Sequence, residues 1–153
     1  MKLAEALILR ADLQKRLAQV AARLSQNVLV QEGDAPAEDP SVLLAEHAEL
    51  TEQLGRLIPA IHLTNLTTRL ADGRTLTQAL TERDLLDGRL GLLRQTAESA
   101  SVQQQRFGGS EIRWVPAVNI PQLQRQIDAL AKARRELDTA LQQANWLTDL
   151  QEG

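Results

Sequence analysis

The chain has 153 residues, 43% of them hydrophobic and 24% charged, with a formal charge of −3, which is the composition of a globular domain and not of a disordered tail. It has no cysteine, so disulfides, thiolate nucleophiles and cysteine-held metals are excluded. Aromatic residues are limited to Phe107, Trp114 and Trp146; an aliphatic core of this kind suits packed helices, and the acidic balance argues against a nucleic-acid surface.

The first predicted helix runs from about Lys2 to Gln26, with an apolar seam of Leu3, Ala6, Leu13, Leu17, Val20 and Leu24 that Arg10 interrupts. The opening lacks a continuous apolar h-region and a cleavage site, so it does not read as a signal peptide. Val28-Leu29-Val30-Gln31 is short and β-branched and reads as a strand. An acidic loop follows from Glu32 to Pro40, and Ser41 is placed to cap a second helix. That helix carries Leu43, His47, Leu50, Leu54, Leu57 and Ile61 on its seam. Pro59 lies off the seam and is expected to kink the helix or bring it near its end, with Asn65 as the C-terminal cap.

Asp72-Gly73 marks a turn. Thr75 and Gln78 then have the spacing of a capping box, which starts a third helix with Leu76, Ala79, Arg83, Leu86, Leu90 and Leu93 on its seam. Gly88 and Gly91 weaken it by about 1 kcal/mol each where exposed. Ser101 to Phe107, Gly108-Gly109 and Ser110 to Val118 read as a β-hairpin, with Pro116 confining its second arm to an edge. Asn119-Ile120-Pro121-Gln122 is a further helix start, and the fourth helix shows the most regular seam: Leu123, Ile127, Leu130, Arg134, Leu137, Leu141 and Ala144, ending at Asn145-Trp146.

The two halves repeat one plan. Leu3, Ala6, Leu7, Arg10, Leu13, Arg16 and Leu17 return seventy-three positions later as Leu76, Ala79, Leu80, Arg83, Leu86, Arg89 and Leu90. Leu43, Leu50, Leu57, Ala60, Asn65 and Thr68 return eighty positions later as Leu123, Leu130, Leu137, Ala140, Asn145 and Thr148. The expected architecture is therefore mainly α: one domain over 1–153, built from helix–connector–helix repeats at 1–70 and 74–150, forming a four-helix antiparallel coiled-coil-like bundle with a small β-hairpin.

Chemistry has few places to sit. The only histidines, His47 and His62, fall on one helix about 22 Å apart at helical rise, and neither has the Glu-x-x-His spacing of a carboxylate-bridged metal site. No metal site and no cofactor are expected. Arg10 and Arg83 interrupt equivalent seams. Either their stems pack while the guanidinium reaches a rim carboxylate, or the pair binds an anion between the repeats. Arg134 sits on a seam where Leu54 stands in the other repeat, as a register-setting polar residue would. Phe107, Ile112 and Trp114 are the expected contacts of the β-hairpin or of an oligomer.

The opening Met1–Arg16, Gln31-Glu32-Gly33-Asp34, Thr68–Leu76, Ser110–Val115 and Ala144-Asn145-Trp146 together resemble the septicolysin-like family of small bacterial helical proteins. That resemblance implies a helical protein with no catalytic residue to carry over. Its name suggests a cytolysin, yet the sequence holds no hydrophobic helix fit to insert. The functional expectation is a non-enzymatic, cytoplasmic scaffold or interaction protein that forms a homo-oligomer, without nucleic-acid or membrane partners. The alternative is an anion-binding protein or an enzyme that uses Arg10 and Arg83.

Overall fold

The computed structural model describes residues 1–101 and 112–152. Over these the chain is mainly helical, with α1 at Leu3–Asn27, α2 at Pro40–Thr67, α3 at Leu76–Ser101 and α4 at Ile120–Leu147. Among the described residues no helix is long and apolar enough to cross a membrane.

Local chemistry sets the helix starts. At α3 the capping box forms in full: the Gln78 N–H donates to Thr75 Oγ1 at 3.1 Å and the Thr75 N–H to Gln78 Oε1 at 2.9 Å. At α4 the Gln122 N–H donates to Asn119 Oδ1 at 3.0 Å. The cap of α2 is Asp39 and not Ser41. Pro40 takes the first helical position, where its missing N–H needs no partner, and Asp39 Oδ1 accepts from the Ser41 N–H at 2.8 Å and from its hydroxyl at 2.7 Å. Nor does α2 stop near Pro59 or cap at Asn65: it runs to Thr67, where the Thr68 N–H closes on the Thr64 carbonyl at 2.9 Å.

The chain divides into two compact units: Met1–Arg69 with the chain from Gln142 onward, and Leu70–Leu141. In the first, α2 packs antiparallel to α1, and Leu3, Ala6, Leu13, Val20, Leu43, Leu50, Leu57 and Ile61 form the core. The predicted strand at Val28–Gln31 is absent. Among the described residues no second strand lies beside it, and the connector is instead tied down by side chains. Asn27, buried, donates from Nδ2 to the Arg23 carbonyl at 2.8 Å and accepts the Glu38 N–H at 2.9 Å, while Arg23 ion-pairs with Glu38. A turn at Gln31–Asp34 follows, with Gly33 at φ +89°, a conformation that favours glycine.

The segment after α4 closes the same unit. The Leu3 N–H donates to the Thr148 carbonyl, and the Leu150 N–H to the Met1 carbonyl, both at 2.9 Å; Lys2 Nζ lies 2.7 Å from Asp149. Thr64, fully buried, accepts the Gln151 N–H on its hydroxyl at 2.9 Å. Thr64→Val keeps the shape and removes this acceptor, so it is expected to cost about 1 kcal/mol and to speed amide exchange at Gln151. Unchanged exchange there contradicts the assignment.

The second unit holds α3 and most of α4, with Leu76, Ala79, Leu90, Ile127, Leu137 and Leu141 buried. The expected β-hairpin is not formed by its described part. Ser101 belongs to α3, and residues 112–118 enter no strand; Phe107 and Gly108-Gly109 lie outside the described residues. A lone ribbon needs a surface to lie on, and here Ile112 and Trp114 are more than four-fifths exposed.

Hydrogen bonds recur under the offsets read from the sequence. Within the second unit the Leu70 N–H donates to the Arg74 carbonyl at 2.8 Å across a turn with Gly73 at φ +89°. Its counterpart, shifted by eighty and seventy-three, is the Leu150–Met1 bond of the first unit. Ala6 to Lys2 and Ala79 to Thr75, both 3.0 Å, form a second such pair.

Candidate functional site

Arg10 is half-buried on α1 in the first unit. Arg83 is half-buried on α3 in the second, where its Nη2 donates to Asp84 Oδ1 at 3.2 Å. Arg134 joins α4 to α3: its Nε and Nη2 reach the two carboxylate oxygens of Asp87 at 2.9 and 3.3 Å, with Asp138 one turn along at 3.8 Å. The polar residue on that seam is thus held by a paired carboxylate. His47 is half-buried and His62 exposed. Among the described residues no three or more histidines or acids gather where they could hold a metal ion.

These ion pairs give the fold an acid-sensitive edge. Hydrogen bonding from Arg134 holds the Asp87 carboxyl below its usual value, as Arg74 does for Asp72, Lys2 for Asp149 and Arg23 for Glu38. A carboxyl whose pKa is lower in the folded than in the unfolded chain stabilises the fold above the unfolded value, and that contribution is lost as pH falls through the folded value. Each pair is solvent-screened and individually small. Thermal stability is expected to hold from pH 8 to pH 5 and to fall below about pH 4. A melting temperature as high at pH 3 as at pH 6 contradicts this.

A site that sequence reasoning missed lies entirely within the first unit. On one side of the α1–α2 pair a cavity of about 840 Å³ opens to solvent. Its walls are Met1 just before α1, Leu9 and Leu13 of α1, Leu57 and Leu63 of α2, and Leu150 of the closing segment. Gly55 and Pro59, one helical turn apart on α2, line it too, with Gln53, Arg56 and Glu152 as its polar members.

The second unit supplies an internal comparison. At the counterparts of Leu9, Gly55, Pro59 and Leu63 stand Glu82, Arg135, Thr139 and Gln143, and at those of Met1 and Glu152 stand Arg74 and Asp72. There Arg74 ion-pairs with both Asp72 and Glu82. One unit therefore carries an apolar groove where the other carries an ion-paired, polar surface. The helical plan does not demand the groove residues, since α4 runs without a glycine or a proline at those two positions. The signal in the sequence was this mismatch between repeats, not any motif.

Over residues 10–150 the sequence matches a family of unknown function, DUF6847. The chain belongs to this family. Like this DUF6847 protein, a functionally unknown conserved protein from Corynebacterium diphtheriae has the same fold in its crystal structure. It is 38% identical, each chain is covered to 99%, and the TM-score is 0.92. No curated protein matches the chain. The match to DUF6847 overturns the septicolysin-like resemblance. Among the segments behind that resemblance, Thr68–Leu76 combines an Asp-Gly turn with the start of a capping box, local devices that many helical proteins share.

Proposed function

We propose that this DUF6847 protein is a non-enzymatic binding protein whose working surface is the groove of the first unit, and that its ligand is an elongated aliphatic small molecule. The groove has the volume of ligand pockets, roughly 300–1,000 Å³, and their usual makeup of apolar walls with a few polar groups. The observation that carries the reading is the contrast between repeats: Leu9, Gly55, Pro59 and Leu63 stand where the second unit has charged or polar residues. Nile red, a neutral apolar dye, tests it. Its fluorescence should rise and shift to the blue on titration with the protein, and Leu63→Glu should abolish the change. Equal responses from both proteins, or none from either, would overturn the proposal.

A second reading, a scaffold that assembles with copies of itself, is supported by the exposed run Ile112, Trp114 and Val115, which is 73% to 84% accessible. In this reading the protein is a cytoplasmic homo-oligomer, and the three- and four-residue seams belong to coiled-coil-like packing. Sedimentation should then show association that Trp114→Ser weakens, whereas a strict monomer at high concentration counts against it.

A further inference from the structure

One wall of the groove is not helical: Leu150 and Glu152, in the segment after α4, line it beside Met1. An antiparallel bridge between Lys2 and Asp149 marks this segment as extended, and successive side chains of an extended chain point to opposite sides. Leu150 and Glu152 therefore share the groove side, while Asp149 ion-pairs with Lys2. The fastenings of the segment also run to the groove. The Leu150 N–H ends on the carbonyl of Met1, itself a groove residue. The Gln151 N–H ends on the Thr64 hydroxyl, which in turn donates at 2.8 Å to the carbonyl of Ala60, another groove residue.

In the second unit the counterpart bond, from the Leu70 N–H to the Arg74 carbonyl, is closed by a continuous turn that keeps its partners four residues apart. In the first unit the partners, Met1 and Leu150, stand far apart in the chain. The segment is held there by the main-chain bonds at Leu3, Leu150 and Gln151 and by Lys2, which reaches Asp149 and, at 3.3 Å, the Leu147 carbonyl. Each such bond contributes modestly, and an extended segment held by a few of them opens more readily than the packed helices. When it opens, the groove loses Leu150 from its wall. A ligand that touches this wall binds the closed form better, and by linkage it holds the segment closed as strongly as the segment holds the ligand.

We infer that residues 148–152 form a clasp that the ligand of the groove fastens, so that occupancy of the groove and closure of this segment rise and fall together. The inference rests on the groove reading proposed above, and its test separates the two. The probe is decanol, a neutral aliphatic alcohol, whose dissociation constant for the parent chain is measured by calorimetry. Amide exchange is then followed by NMR in the free protein and with unbound decanol held at about ten times that constant. Exchange at Leu150 and Gln151 should slow about tenfold, because opening must wait for the ligand to leave. The Leu70 amide, the counterpart of Leu150 in the second unit, is the internal control and should keep its rate. Binding of decanol that leaves the Leu150 and Gln151 rates unchanged, or that slows Leu70 equally, overturns the clasp and leaves the groove reading standing. Failure of decanol to bind removes both.

Discussion

Pro59→Ala is expected to make the protein more stable by about 2 kcal/mol. An interior proline costs a helix about 3 kcal/mol through its lost N–H and its clash with the preceding turn. Part of that gain is returned, because proline also restricts the unfolded chain and its removal gives back up to about 1 kcal/mol of that advantage. Position 59 is exposed in α2, so the smaller side chain leaves no buried void. Gly55→Ala should add about 1 kcal/mol, since nothing stands within 4 Å of the new Cβ. Denaturant unfolding measures both. If either variant proves less stable than the parent chain, the residue serves packing and the argument for a retained, destabilising binding element fails. Residues that weaken a fold persist where they serve a function.

The second large effect lies in the core. Leu3 and Leu76 are counterparts under the offset of seventy-three, and both are fully buried in the first turn of their helices. Leu3→Ala and Leu76→Ala should each cost about 3 kcal/mol, from lost transfer energy and the cavity left behind. Leu63→Ala, at a groove position 38% exposed, should cost less than about 1 kcal/mol. Equal losses at all three sites would mean that the groove wall is ordinary core. A mild effect at Leu76 beside a severe one at Leu3 would mean that the repeat does not carry equivalent packing.

What the sequence revealed, and what it hid, follows from how local each signal is. The starts of α3 and α4 were legible because their caps involve residues within four positions of one another: Thr75 with Gln78, and Asn119 with Gln122. The start of α2 was misplaced because Asp39 and Ser41 are both good caps. Pro40, which must occupy the first helical position, decides between them. Val28-Leu29-Val30 has strand propensity but, among the described residues, no neighbouring strand to pair with, and the buried Asn27 draws the connector into another path. Strand formation depends on such tertiary context more than helix formation does.

The groove was hidden for a different reason. Leu9 and Leu63 lie off the main seams and read one at a time as scattered surface leucines, while Pro59 reads as a helix stop. Only with each set beside its counterpart, Glu82, Gln143 and Thr139, do they separate from the helical plan. The resemblance to another family failed because turns and caps report local backbone geometry, and local geometry recurs across unrelated helical proteins.

The most direct measurement gives the groove of the first unit the character of the second. The triple variant Gly55→Arg, Pro59→Thr, Leu63→Gln installs the counterpart residues at three exposed positions. Melting temperature and Nile red binding are then read on the same sample. Retained or raised melting temperature with binding lost is the expected result, because these residues serve a ligand and not the fold. A sharply lowered melting temperature, or binding that persists, would contradict it.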